Sequence, residues 1–110
     1  NPLGAINQIE GGVIDGVGHA MYGDLSFMDG QPQSQNYDKY RLIRMGEIPV
    51  VESHLIQNDL APTGLGEPTL PPAGAAVANA LKAATGNRFT QQPFSKFPEL
   101  MKVPTKPLIG

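Results

Sequence analysis

The sequence predicts an α+β protein, with layered helices on a small mixed sheet. The order of its elements is the first reason, because a helix, a hairpin, a strand and a second helix are expected along 110 residues. Thirteen glycines and eleven prolines favour short elements joined by many turns. A chain of this size buries roughly 65% of its unfolded surface. We therefore expect a single domain with a modest core.

The first predicted helix covers residues 6–22. Its apolar side chains recur in steps of three and four, as on one helical face: Ile6, Ile9, Val13, Val17 and Ala20. Glycines interrupt the pattern, and each costs roughly 0.8–1 kcal/mol relative to alanine in a helix. Gly12, Gly16 and Ala20 lie four residues apart, so they form a flat face open to a bulky ligand or another backbone. Tight packing on a sheet explains this face equally well.

A hairpin and a strand are predicted next. Leu25 and Phe27 alternate with polar residues, and Asp29-Gly30 is a pair typical of hairpin turns. Residues 49–59 hold β-branched side chains in an extended run, which predicts a strand.

The second predicted helix begins near Pro71, since a proline in the first turn loses no hydrogen bond. Thr69 is its predicted cap, and Gly86 is the expected left-handed terminator. The predicted buried stripe consists of Val77, Leu81 and Ala84. The proline-rich residues that follow cannot form one long element.

Composition and spacing exclude several functions. A net charge of −2 with scattered basic residues argues against nucleic acid and membrane surfaces as partners. Without cysteine there is no disulfide, thiolate metal site or cysteine nucleophile. His19 and His54 lack the spacing of metal ligands, so no metal site is predicted. The glycines near Gly16 resemble a phosphate loop but fail its pattern. Asp38, Arg41 and Arg44 are interpreted as a solvated or helix-capping cluster.

The stretch "PTGLGEP" places one acid, Glu67, between glycines and a proline. Pro68 restricts the backbone of Glu67 to extended geometry. Gly64 and Gly66 permit positive φ and leave room for a large neighbour. The N-terminus of the following helix favours a negative charge nearby. A carboxylate held in this way could act as a general base, although an acid in a surface turn is the commoner meaning of such a motif.

Two longer phrases resemble one protein family. "NQIEGGVIDGVGHAMYGD" and "PTGLGEPTLPPAGAAVANALKAATGNR" resemble the large, molybdenum-binding subunit of the xanthine dehydrogenase and aldehyde oxidase family. The isoquinoline 1-oxidoreductase type looks like the better match. The resemblance covers residues 1–94, interpreted as the C-terminal portion of a larger molybdopterin-binding domain. Residues 95–110 form a proline-rich tail.

The resemblance implies a function and a set of site residues. It implies a hydroxylase that inserts water-derived oxygen into an N-heteroaromatic or aldehyde substrate, with molybdopterin cytosine dinucleotide as cofactor. Glu67 matches the position of the family's general base, and Gln8 matches the glutamine that contacts the pterin. Gly12 and Gly66 would leave space for the cofactor. The implied partners are the remainder of the molybdenum-binding subunit and an iron–sulfur subunit.

Two departures from the family pattern qualify these expectations. Xanthine-oxidising members tend to carry lysine four residues before the base, where this chain has Thr63, which disfavours xanthine as substrate. A chain of 110 residues is also too short to enclose the cofactor, so we expect it to be inactive alone. The alternative is a non-catalytic assembly or interaction module that keeps the family's fold. The compartment stays open, with the periplasm as one option, because isoquinoline-type relatives are often exported.

Overall fold

The structure, a computed structural model, describes residues 1–101, and its longest element is helix α1, Pro2–Tyr22. The Asn1 side-chain oxygen accepts a hydrogen bond from the Gly4 N–H at 3.4 Å and caps the helix. With Pro2 in the first turn, α1 starts at residue 2 rather than at the predicted residue 6. Its interior glycines remain helical throughout.

The predicted hairpin is confirmed. Strand β1, Phe27–Met28, pairs antiparallel with β2, Gln31–Pro32. Asp29 and Gly30 form the turn with φ of 49° and 77°, the two successive positive values that a tight hairpin turn requires. The α+β class is therefore confirmed, while the sheet of the described residues is this antiparallel pair rather than a mixed sheet.

The strand predicted over residues 49–59 does not form within residues 1–101, so this prediction is wrong for the chain itself. A short 3₁₀ helix, Met45–Glu47, is followed by residues 48–58, which adopt no helix, strand, turn or bend. The β-branched residues have the right propensity, but a strand also needs a neighbour for its hydrogen bonds. Val50 and Ile56 remain 87% and 89% exposed.

Helix α2 spans Leu70–Thr85 and ends as predicted. Gly86 has φ 78°, and its N–H donates a hydrogen bond to the Lys82 carbonyl. Thr69 occupies the cap position but makes no capping hydrogen bond with its side chain. The prediction that Ala84 is buried is wrong, because the half-covered face of α2 passes from Val77 and Leu81 to Thr85 and leaves Ala84 exposed.

An aromatic cluster closes the C-terminal end of α1. Ala20, Phe89 and Phe94 are the buried residues of this cluster. Phe94 begins a second 3₁₀ helix, Phe94–Lys96, and helix α3, Pro98–Met101, follows. The rings of Phe89 and Phe97 lie 4.9 Å apart between centroids. Sequence analysis did not assign these aromatics to the core, and the rest of its predicted tail, residues 102–110, lies outside the described residues.

The two long helices approach each other closely through the glycines of α1. A Cβ on Gly12 would lie 2.1 Å from Thr69 Oγ1, and a Cβ on Gly16 would lie 2.4 Å from Ala73 Cβ. The flat face predicted for α1 therefore packs on a helix, not on a sheet. The contacts advance in the same direction along both chains, so α1 and α2 run parallel where they touch. None of the described helices is long and apolar enough to cross a membrane.

Gly16 and Gly11 provide a matched test of this crossing. A methyl group on Gly16 would also lie 3.0 Å from the Leu70 carbonyl oxygen, so the helices must move apart to admit it. We expect Gly16→Ala to lower the free energy of unfolding by about 1–3 kcal/mol. A Cβ on Gly11 meets no atom within 4 Å, so Gly11→Ala should raise it by about 0.8–1 kcal/mol through helix propensity. Urea denaturation followed by circular dichroism measures both, and equal effects would contradict the crossing.

Candidate active site

The Glu67 carboxylate lies in an open loop just before α2. Glu67 is exposed and makes no hydrogen bond or ion pair with any other described residue. Neither Gly64 nor Gly66 adopts positive φ. A Cβ at either glycine would meet no atom within 4 Å. The glycines therefore leave open space around Glu67, as predicted, but the loop does not use their left-handed conformation.

The first turn of α2 anchors one end of this loop. Thr69 and Leu70, directly after Pro68, are the residues that contact Gly12 of α1. Gly12, a predicted cofactor contact, is half-buried at this crossing and faces Thr69 in the chain itself. Glu67 therefore lies only two positions before the crossing.

Gln8 lies one helical turn before Gly12 on α1, on the same helical face. Because α1 and α2 run parallel and α2 begins opposite Gly12, Gln8 projects past the start of α2, at the end where the Glu67 loop arrives. Gln8 is exposed, and its amide makes no hydrogen bond to another described residue. The fold therefore brings the Gln8 turn and the Glu67 loop to the same end of the helix pair.

An apolar groove of about 270 Å³ runs between the two helices beside this loop. Pro68, the neighbour of Glu67, contributes to its wall together with Val13 and Val17 of α1. The remaining wall comes from the first turns of α2: Thr69, Pro72, Ala73, Ala76 and Val77. The carboxylate therefore lies at the edge of an apolar surface on one side and open solvent on the other.

A polar cluster connects residues 41–47 to the C-terminal end of α1. The Arg41 guanidinium lies 3.5 Å from the centroid of the Tyr22 ring and forms an ion pair with Glu47. The Glu47 carboxylate also accepts a hydrogen bond from the Arg44 N–H at 3.0 Å. This backbone hydrogen bond, followed by the Arg41 side chain, lowers the pKa of Glu47. Hydrogen bonding to Tyr22 and then to Glu47 raises the pKa of Arg41.

This cluster has a structural role. The Glu47 carboxylate caps the 3₁₀ helix by accepting a hydrogen bond from the Arg44 N–H, so Arg41 and Arg44 belong to a capping cluster as predicted, whereas Asp38 makes no ion pair in it. Sequence analysis missed Glu47, because the residue three positions before it is Arg44 and not the Ser or Thr that signals a capping box. Ile43, within the same segment, packs against Gly18 of α1. A Cβ on Gly18 would lie 3.0 Å from Ile43 Cγ2. No group of three metal-ligating side chains occurs among residues 1–101.

Comparison with known proteins places these features in a family. Residues 1–49 match the model of a molybdopterin cofactor-binding domain. A nicotinate dehydrogenase subunit of Pseudomonas putida is 31% identical over 96 residues, which are 86% of this chain and 8% of that protein. The chain belongs to the xanthine dehydrogenase and aldehyde oxidase family.

Other members of the family align over a similar region. The beta subunit of isoquinoline 1-oxidoreductase from Brevundimonas diminuta is 31% identical over 86 residues, 78% of this chain and 11% of the relative. The xanthine dehydrogenase molybdenum-binding subunit of Escherichia coli O157:H7 is 33% identical over 93 residues, 78% of this chain and 12% of the relative. The chain thus corresponds to part of the family's molybdenum-binding subunit and spans about a tenth of the length of these relatives.

Thr69 and Gly12 allow a direct test of the contact that positions the Glu67 loop. Gly12→Ala should destabilise the chain, because its methyl group would overlap Thr69 Oγ1. Thr69→Ala alone should have little effect, since the Thr69 side chain makes no capping hydrogen bond. In the double variant the obstructing oxygen is gone, so part of the stability should return. We expect a favourable coupling energy of about 0.5–3 kcal/mol in a double-mutant cycle measured by urea denaturation. Strict additivity would contradict the contact.

Proposed function

We propose that Glu67 is the general base of a molybdenum hydroxylase to which this chain contributes one wall of the active site. The observation that supports this most directly is an exposed carboxylate without an internal partner, two residues from a fixed helix crossing. A base must have a defined position and must also be free to receive a proton. Glu67 meets both needs, whereas a carboxylate locked in an ion pair, such as Glu47, does not.

The residues around Glu67 suit a large planar cofactor. Gly64 and Gly66 present bare backbone with no atom within 4 Å of an added Cβ, so a flat group can approach them closely. The proposed cofactor is molybdopterin cytosine dinucleotide, which supplies the two-electron redox chemistry when bound. Glu67 would accept, at a carboxylate oxygen, the proton released as the water-derived oxygen becomes nucleophilic.

Gln8 is proposed to bind the pterin edge. Its amide offers both a donor and an acceptor, which matches the mixed hydrogen-bonding edge of a pterin. Its place on α1, one turn before the Gly12 contact, holds it on a rigid element at the end of the helix pair that also carries Glu67. Gly12 would serve by letting α2 start this close to Gln8, and Gly66 by leaving the cofactor its space.

The proposed substrates are N-heteroaromatic compounds or aldehydes. Thr63 stands where xanthine-oxidising members tend to carry a lysine, so a xanthine molecule would find no cation at that position. Electrons would leave through an iron–sulfur subunit. The rest of the active site would come from the remainder of the molybdenum-binding subunit, since residues 1–110 provide only one wall.

One observation favours a second candidate, a non-catalytic assembly module. The described residues expose several large apolar side chains to solvent, among them Met45 at 85%, Leu60 at 78% and Leu3 at 67% exposed. Such a surface fits a role in assembly whether or not Glu67 takes part in catalysis.

Glu67→Gln separates the two candidates. In the assembled enzyme we expect kcat to fall by about 10²–10⁴-fold, because the amide cannot accept the proton, with molybdenum content unchanged. Asp59→Asn, which neutralises another exposed carboxylate earlier in the same loop, should keep kcat within about twofold. Steady-state kinetics and metal analysis on the same preparations give both results. Normal turnover of Glu67→Gln would refute its role as base and leave the assembly role.

Gln8→Ala tests the pterin contact. Loss of the amide should lower the molybdenum and pterin content of the purified enzyme, because two hydrogen bonds to the cofactor disappear. Asn7→Ala is the control, since it removes a neighbouring exposed amide from a different face of α1. Full cofactor content and full activity in Gln8→Ala would rule out the contact.

A further inference from the structure

Residues 49–57, termed here the apolar segment, have the sequence of a β-strand but no strand partner among residues 1–101. The segment continues from the 3₁₀ helix without a turn or bend. None of its backbone N–H or C=O groups bonds to another described residue; the nearest backbone bond to a side chain is at Leu60. A row of unpaired backbone donors and acceptors is the feature of a strand edge that invites pairing with another chain.

The side chains of the apolar segment alternate as they do on a strand in a sheet. Val51 and Ser53 are partly covered by the rest of the chain, whereas Val50, Glu52, His54 and Ile56 are exposed. Leu55, the next residue on the side of Val51 and Ser53, is 42% exposed, about half as much as Ile56 at 89%. This period of two is the strand repeat, and the helical repeat is absent. The backbone N–H and C=O groups of a strand lie in the plane between these two faces, so a partner strand would pair along an edge and set its own side chains beside those of each face.

The exposed side is unusually apolar for a solvent-facing surface. Val50 and Ile56, both β-branched, are 87% and 89% exposed. Between them, Glu52 Oε2 and His54 Nε2 lie 4.0 Å apart. On the covered side, the Ser53 hydroxyl is shielded from solvent yet has no hydrogen-bond partner among residues 1–101. A neighbouring strand outside residues 1–101 would explain both the exposed apolar side chains and the unpartnered Ser53 hydroxyl.

We propose that the apolar segment pairs as a β-strand with the open edge of a sheet in the remainder of the molybdenum-binding subunit. This chain covers 8–12% of the length of the relatives that match it. Most of the family's subunit is therefore polypeptide outside this chain. The partner strand would offer apolar side chains opposite Val50 and Ile56. It would place a basic side chain opposite Glu52, since unlike charges across a strand pair are stabilising.

Strand pairing would also fix the second end of the loop that carries Glu67. One end is already held where Thr69 meets Gly12, while the other leads directly from the apolar segment. Docking would therefore hold the loop from both sides. This consequence for Glu67 rests on the proposed function, but the pairing itself does not.

Amide hydrogen exchange tests the pairing. The chain alone and the assembled enzyme purified from its source are compared at residues 49–57, with the native mass of each sample measured. We expect fast exchange in the chain alone, and exchange at least 100-fold slower at alternate amides in the enzyme. Fast exchange in the enzyme would overturn the proposal. So would slow exchange in an isolated dimer, because the occupant would then be a second copy.

Proline substitution tests whether backbone hydrogen bonds hold the apolar segment to its partner strand. Glu52→Pro and Ser53→Pro each remove one N–H from neighbouring positions, which point to opposite edges of a strand. At least one of them should weaken assembly with the remainder of the subunit tenfold or more, while Glu52→Ala, which keeps the N–H and removes only the charge pair, should weaken it by about fivefold at most. Unchanged assembly in both proline variants would overturn the pairing.

Two controls separate folding and catalysis from docking. Because the segment makes no backbone hydrogen bonds within residues 1–101, both proline variants should keep the helical circular dichroism of the unmodified chain. Glu67→Gln should assemble normally whether or not it is active. Assembly therefore reports on the strand pairing, and turnover of the assembled enzyme reports on the base.

Discussion

Helices α1 and α2 approach each other through Gly12 and Gly16, where a side chain on α1 would overlap Thr69 and Ala73. Helix axes usually lie 8–10 Å apart, at a distance set by the side chains between them. Removing those side chains costs helix propensity, about 0.8–1 kcal/mol at each glycine, and this cost is offset by the contact that it permits. The position at which α2 begins, and with it the position of Glu67, depends on this crossing.

A second face of α1 serves a different contact. Gly18 admits Ile43, and the Arg41 side chain covers the Tyr22 ring at the end of the same helix. Gly12 and Gly16 thus face α2 while Gly18 faces Ile43, which explains why these three glycines do not follow a single four-residue repeat. Because the aromatic cluster around Phe94 then closes the C-terminal end of α1, the helix is held on three sides.

Local signals in the sequence were sufficient for the elements that are stabilised locally. The Asp29-Gly30 turn and the Gly86 terminator have conformations that depend on their own residues, and both are where the pattern predicts. The strand over residues 49–59 was predicted wrongly because pairing depends on a neighbour, about which β-propensity says nothing. The aromatic cluster was missed for a related reason, as Phe89 and Phe94 lie in a proline-rich stretch without periodicity. The expectation that Gln8 and Glu67 belong to one site came from the family resemblance alone. The helix crossing adds a physical reason, because it brings the Gln8 turn and the Glu67 loop to the same end of the helix pair.

The open surroundings of Glu67 follow from how its loop is held. A loop fixed at both ends within one chain can be rigid and buried, but here the described contacts hold only the α2 end. The backbone at Gly64 and Gly66 avoids the left-handed region, so these glycines are not needed to make a tight turn. What they provide is the absence of side chains beside the acid. Glycine at these positions therefore costs chain entropy without a left-handed turn to offset it, and within the described residues its effect is to leave bare backbone that a neighbouring group can approach.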